Sequence, residues 1–262
     1  MSRDDAVLFT GERLHAGSAL FGVDLARHRA AYQFALELGA EAPRVLDLGC
    51  GSGYGTAELA RALRFVVGVD RVRPDPAARV PGARYLLADL HGLPLASAAF
   101  DLVVSFQVIE HLDDPGPYLD AIQRLVRPGG TAVITTPNRL TSDGVNPYHV
   151  HEYEAQELRG ILVPHFAEVE MRGVGASPAV ARYLDDRLRR IRKVLRLDPL
   201  RLRERLPRPL IEWLFAQFAI RVRRGIQRGD GLPEVGVEDF PIGPADPACV
   251  DLLAICHQRA TA

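Results

Sequence analysis

Arg44-Val45-Leu46-Asp47-Leu48-Gly49-Cys50-Gly51-Ser52-Gly53-Tyr54-Gly55 is the stretch on which the reading of this chain turns. The apolar, β-prone run Val45, Leu46, Leu48 leads into four glycines at alternate positions, and the segment from Tyr54 to Leu63 is compatible with a helix. A strand, a tight turn and a helix are expected. Glycines stand where the backbone must take positive φ or approach a ligand closely, and the following helix N-terminus offers unpaired N–H groups. Such a loop suits a nucleotide-like ligand. Spacing narrows the choice: a G-x-G-x-x-G fingerprint fails, because the third glycine position is Tyr54 counted from Gly49 and Thr56 counted from Gly51. A phosphate-binding P-loop fails as well, since it needs a lysine after the glycines and the chain's only lysine is Lys193.

Working outward, a helical pattern runs from Asp24 to Leu38 and Gly39 ends it. After the glycine loop, Phe65 to Asp70 reads as a second strand ending in an acid, placed where a carboxylate can accept hydrogen bonds from both hydroxyls of a ribose. Ala83 to Asp89 reads as a third strand, again ending in an acid, and Phe100 to Ser105 as a fourth. In a doubly wound sheet the carboxyl ends of the strands open onto the ligand crevice, so Gln107 to His111 is the first place to look for catalytic groups. Asp113 or Asp114 can cap a helix with Pro115 in its first turn, and Tyr118, Leu119, Ile122, Leu125 and Val126 share one face of it. A fifth strand is expected over Thr131 to Thr135 and a sixth over Phe166 to Met171. Between them lies a proline-broken polar loop containing Asn146, His149, His151 and Glu152, with the last two expected to cap a helix from Glu154 to Leu162. Val250 to Cys256 resumes the α/β rhythm as a strand antiparallel to the sixth.

Asp47-x-Gly49-x-Gly51-x-Gly53 resembles the first motif of the class I S-adenosylmethionine (SAM)-dependent methyltransferases. Ile109-Glu110-His111-Leu112, and Arg127-Pro128-Gly129-Gly130 followed by a strand, resemble further motifs of its methyltransferase-11 and quinone-pathway O-methyltransferase-like group. The likeness covers roughly residues 25 to 171 and the last strand. It implies an α/β fold: a Rossmann-like, mostly parallel sheet of seven strands with the last antiparallel, and a helical insert between strands six and seven. It implies SAM as cofactor and S-adenosylhomocysteine as product. The implied cofactor contacts are Asp47, Gly49, Cys50, Gly51, Gly53, Asp70, Arg71 and Gln107, with Asp89 receiving the adenine amine and the N–H of Leu90 facing the ring. Cys50 otherwise reads as a small filler in the turn. Methyl transfer from a sulfonium is an in-line displacement that needs positioning and water exclusion, and no metal is expected. A hydroxyl acceptor must lose a proton, and the candidates for taking it are His111, His149 and, behind them, His151.

The organisation expected is an N-terminal cap over residues 1–40, a cofactor-binding core over 41–171 and 249–262, and a helical insert over 172–248. The net charge of −1 hides an asymmetry, because residues 182–228 hold 15 arginines and lysines against 5 acids, a net of +10 that leaves the remainder at −11. Within the insert Leu184, Leu188, Ile191 and Leu195 recur at helical spacing among arginines, and Leu210 to Val222 forms a second amphipathic segment. The insert fits a lid over a small-molecule acceptor, a foot on an anionic membrane surface, or, with less support, a surface for RNA phosphates. The D/N-P-P-Y motif of nucleic-acid amino methyltransferases is absent; Ser105-Phe106-Gln107-Val108 stands there. A SAM-binding regulator without turnover is the reading from another class, and a homodimer through the insert is compatible with the residues. Cys50, Cys249 and Cys256 have neither metal-ligand nor disulfide spacing. With no signal sequence or 18-residue apolar run in view, a cytoplasmic protein, with or without peripheral membrane contact, is expected.

Overall fold

The computed structural model describes residues 21–195, 217 and 234–260. Eight strands form one sheet in the order β3-β2-β1-β4-β5-β8-β6-β7. They are β1 (Val45–Leu48), β2 (Val66–Asp70), β3 (Ala83–Leu87), β4 (Phe100–Phe106), β5 (Val126–Pro137), β6 (Glu168–Val174), β7 (Ile242–Pro244) and β8 (Asp251–His257). The helices are α1 (Gly22–Leu38), α2 (Tyr54–Ala62), α3 (Gly116–Leu125), α4 (Ala155–Leu162) and α5 (Pro178–Leu195). β1 to β5 pair in parallel, and β8 runs antiparallel to both β5 and β6.

Alternation along the central strands assigns their two faces. Leu46 and Leu48 of β1, Ala132 and Ile134 of β5, and Leu252 and Ala254 of β8 pack with Tyr118, Leu119 and Ile122 of α3 and Leu158 of α4. The intervening Val45, Leu102, Val104, Val133 and Leu253 pack on Ala31, Tyr32 and Ala35 of α1 and Leu59 and Ala60 of α2. Both faces are therefore covered by helices, which explains why these strands read as unbroken apolar runs. A third cluster joins α1, α5 and the chain after Val235 through Val23, Ala26, Val180, Tyr183 and Phe240.

Two expectations are corrected. The sheet has eight strands instead of seven, because Ile242-Gly243-Pro244 adds a short antiparallel edge to β6. Pro241 precedes it and Pro244 is its last residue, and proline is tolerated at a sheet edge where no ladder donor is needed. The helix after the polar loop is capped by Glu154, reciprocally with Glu157, and not by His151 or Glu152. Leu184, Leu188 and Ile191 do lie on one helix, α5, while Leu210 to Val222 falls outside the described residues, Gln217 apart. No described helix is long and apolar enough to cross a membrane.

Candidate active site

β1 sits where the strand order reverses, between β2 and β4, and a crevice opens there at the carboxyl ends of the strands. The glycine turn fills the floor of it. Gly49 (φ +81°) and Gly51 (φ +54°) hold left-handed conformations. A Cβ on Gly49 would stand 2.4 Å from Val108 Cγ2, whereas one on Gly51 would meet nothing within 4 Å, because Gly51 faces open space. Asp70, ending β2, holds the turn: its Oδ2 accepts the Gly51 N–H (2.8 Å) and its Oδ1 accepts that of Val72 (3.0 Å).

Asp47 lies elsewhere than on the cavity wall. It is fully buried beneath the turn, accepting the hydroxyls of Thr56 (2.6 Å) and Tyr32 (3.2 Å). It thus ties β1 to α2 and α1. Burial without a cationic partner raises its carboxyl to about 7, against the pull of those hydroxyl donors. Gly53 ends the turn as the residue before α2, also left-handed (φ +84°). Gly49, Cys50, Gly51, Asp70, Arg71, Leu90 and Gln107 line the cavity. Asp89 is outside that lining, half-exposed, with Arg71 Nη1 4.0 Å from its Oδ2. Gln107, at the end of β4, has φ +56°, a conformation non-glycine residues take only where their surroundings enforce it. Its N–H is held by the Thr135 carbonyl (3.0 Å).

The cavity encloses about 1180 Å³ and runs from this turn to a polar corner formed by Glu110, His111, His149 and Glu152. That volume exceeds one small ligand and leaves room for two side by side. The loop after β5 is laid over the corner by main-chain bonds, the N–H groups of Val150 and His151 both donating to the Glu110 carbonyl (2.7 and 3.2 Å). This brings the two candidate histidines together, with ring centroids 5.1 Å apart. His111 Nδ1 lies 2.9 Å from the Tyr148 carbonyl. A carbonyl only accepts, so Nδ1 carries a proton, and in the neutral ring the lone pair is on Nε2. His149 Nδ1 lies 2.6 Å from Glu152 Oε1, which fixes the same tautomer. Its Nε2 accepts from Asn146 Nδ2 (2.8 Å), an orientation set because Asn146 Oδ1 accepts the Tyr148 N–H (3.1 Å). Burial pushes Glu152 up, but the bonds from His149 and from Ser142 (2.8 Å) prevail and hold it below the usual carboxylate range. Glu110 is fully buried and pushed up by desolvation, with the neighbouring histidines pulling the other way. His151 stands apart, exposed and bonded to Glu157.

α1 and α5 supply the remaining walls. Arg27 and His28 of α1 line the cavity; His28 Nδ1 bonds the Tyr54 hydroxyl (2.9 Å), and burial lowers its pKa to about 3, so the ring is neutral. From α5 come Leu184, Leu188 and Arg187, the guanidinium of Arg187 reaching Asp24 Oδ1 (3.4 Å) and Asp143 Oδ2 (3.6 Å). The sequence reading missed Glu152 as the partner of His149, although the spacing of three residues was a signal. It also missed Arg187, which shares the inward face of α5 with Leu184 at the same spacing.

Comparison with known proteins decides the family. A methyltransferase domain model matches residues 46–134, which hold the glycine turn, the strand-end acids and the Glu110-His111 pair. A "Probable S-adenosylmethionine-dependent methyltransferase" of Mycolicibacterium smegmatis is 38% identical over 191 residues, 68% of this chain and 74% of that one. The chain belongs to the SAM-dependent methyltransferases. A second relative of this methyltransferase, the ubiquinone biosynthesis O-methyltransferase of Ruegeria pomeroyi, is 34% identical over 128 residues, covering 45% of this chain and about half, 52%, of that one. Among solved structures the fold is similar to that of a SAM-dependent methyltransferase from Thermotoga maritima, with TM-score 0.52 and 16% identity over 89% of this chain and 91% of that one. Residues 46–134 stop short of the loop that carries His149 and of α5, so the family match reaches the glycine-turn end of the cavity and only part of the corner opposite.

Proposed function

We propose that this methyltransferase moves the methyl group of SAM to a hydroxyl of a small, largely apolar acceptor, a quinone, polyketide or lipid-like molecule. The observation that carries the reading is the continuity of the cavity, with the glycine turn and Asp70 at one end, His111 and His149 at the other, and Leu184 and Leu188 of α5 between them. SAM occupies the turn end, its ribose on Asp70 and its adenine toward Arg71, Asp89 and Leu90. The acceptor lies against Leu184 and Leu188, its hydroxyl at the histidine corner. There the two imidazoles, each fixed in one tautomer, assist loss of the hydroxyl proton. Catalysis is then chiefly alignment of the nucleophile with the sulfonium methyl and exclusion of water.

In this reading residues 1–40 cap the cofactor, 41–171 and 249–262 are the core, and 172–248 close the acceptor side as a lid. The lid is favoured over a membrane foot because Leu184 and Leu188 of the basic helix are turned to the cavity. The partial likeness to ubiquinone O-methyltransferases points the same way for the acceptor atom. The test is incubation with methyl-labelled SAM and a fractionated cell extract. Label is expected in the organic-soluble fraction and is abolished by Asp70→Ala; label in RNA or protein, or saturable SAM binding with no transfer, would overturn the proposal.

A further inference from the structure

Arg187 stands where three parts of the chain meet over the cavity. Its Nη1 lies 3.4 Å from Asp24 Oδ1 of α1, and its Nη2 lies 3.6 Å from Asp143 Oδ2 in the loop after β5. All three side chains are largely withdrawn from water, where charge pairs are screened less than on an open surface. On α5 the residue is flanked by Leu184, one turn earlier, and Leu188, and both line the cavity. Toward the loop, Asp143 is fixed in a turn, its Oδ1 accepting the Val145 N–H (3.1 Å). Its neighbour Ser142 donates its hydroxyl to Glu152 Oε1 (2.8 Å), and the same oxygen receives the Nδ1 proton of His149 (2.6 Å). A continuous run of contacts therefore leads from the apolar wall of α5 to the imidazole at the corner.

We propose that Arg187 is a positioning residue, which clasps α5 to the loop of residues 142–152 so that the histidine corner takes its working geometry when the helix lies closed over the cavity. A guanidinium stays charged across the working pH range and takes no proton from an acceptor. What it supplies is a planar fork that holds acceptors on two separate elements at once. The first turns of α5 are fixed by Val180 and Tyr183, which pack with Val23, Ala26 and Phe240. Those turns act as the pivot, and Arg187, further along the helix, is the clasp. An acceptor entering along Leu184 and Leu188 loads this stretch of α5. Closure behind it tightens the tie to Asp143, which keeps Ser142 on Glu152 and Glu152 on His149, with the Nε2 lone pair reserved for the acceptor's proton. Misplacing a catalytic group by about 1 Å costs about 100-fold in rate, so a distant tie has leverage on turnover. The clasp exists without an acceptor; its effect on turnover rests on the hydroxyl-transfer reading.

The test uses the full chain with ¹⁵N-labelled histidine and bound S-adenosylhomocysteine, in buffer alkaline enough for the rings to be neutral. Long-range ¹H–¹⁵N correlation spectra report the tautomer of each imidazole, and the signals of His149 are those lost in His149→Gln. The parent should show His149 protonated on Nδ1 alone. Arg187→Met and Asp143→Asn, the second of which keeps the oxygen that accepts the Val145 N–H, should both move His149 toward the mixed tautomers of a free ring. Arg189→Met removes an equal charge from the same helix, where its guanidinium bonds Asp186 (2.8 Å), and should leave the His149 signals as in the parent. S-adenosylhomocysteine should bind all these variants, which shows that they are folded. With methyl-labelled SAM and the organic-soluble fraction of a cell extract, Arg187→Met and Asp143→Asn should each slow transfer by about tenfold or more, and the double variant no further. His149 signals unchanged in Arg187→Met and Asp143→Asn, or losses of rate that multiply in the double variant, would overturn the clasp. The expected change in the His149 signals, with no transfer by the parent to any organic-soluble acceptor, would sink the hydroxyl-transfer reading and leave the clasp standing.

Discussion

Replacing Asp47 with asparagine should make the methyltransferase less sensitive to rising pH. The carboxyl is fully buried beneath the glycine turn with two hydroxyl donors and no cation, and its pKa rises from 3.8 to about 7 on folding. The folded state therefore binds a proton more tightly than the unfolded chain. The stability this confers is complete below about pH 4 and is lost as pH climbs toward 7. At 1.36 kcal/mol per pH unit, ionising Asp47 in place costs about 4 kcal/mol by pH 8. Asparagine is nearly isosteric, keeps an acceptor for Thr56 and presents a donor to the Tyr32 oxygen, so it carries none of this penalty. Urea unfolding of both proteins at pH 5, 6, 7 and 8 should show Asp47→Asn gaining on the parent across that range, by about 2.5 kcal/mol in all, most of it before pH 7. A difference independent of pH would refute the argument and mean that Asp47 is already ionised and satisfied at pH 5.

Other consequences follow from the same geometry. Gly51→Ala costs about 1 to 2 kcal/mol in backbone strain at φ +54°, but its Cβ meets open space, so the protein should fold while S-adenosylhomocysteine binds at least about tenfold more weakly by calorimetry; unchanged affinity would put the cofactor elsewhere. Arg187→Met removes the bonds from α5 to Asp24 and Asp143, and since Arg187 is 23% exposed and Asp24 keeps Arg27, about 1 to 2 kcal/mol is at stake. Hydrogen exchange over α5 should then quicken by roughly tenfold with the sheet unaffected. Protection of α5 equal to the parent's would show that the helix is held by its apolar contacts, Val180, Tyr183 and Leu184 among them, without the Arg187 bonds.

Legibility in the sequence tracked the range of the interactions. Strands β1, β2, β4, β5 and β8 were readable because each carries a largely apolar stretch buried in the sheet, and the glycine turn because its backbone conformations demand glycine at fixed spacing. β7 was not, since three residues, Ile242-Gly243-Pro244, carry no periodic signal and are a strand only through their pairing with Arg172 to Val174. Asp70 at a strand end could be placed by topology alone. Asp47 could not: whether an acid in the motif faces ligand or lies underneath depends on Tyr32 and Thr56, which reach it from two helices. The histidine corner shows the same division. His111 was flagged by its place after β4, and His149 by the polarity of its loop. What fixes their tautomers is a carbonyl 37 residues away and a carboxylate that looked like a helix cap.

The central claim is that one cavity holds SAM at its glycine end with the methyl directed to the histidine corner. A crystal structure of the protein with S-adenosylhomocysteine tests it most directly. The account predicts the ribose hydroxyls on the Asp70 carboxylate, the ligand backbone against Gly49 to Gly51, and the sulfur facing His111 and His149 across the space roofed by Leu184 and Leu188. A ligand whose sulfur points away from that corner, or whose ribose leaves Asp70 untouched, would contradict it.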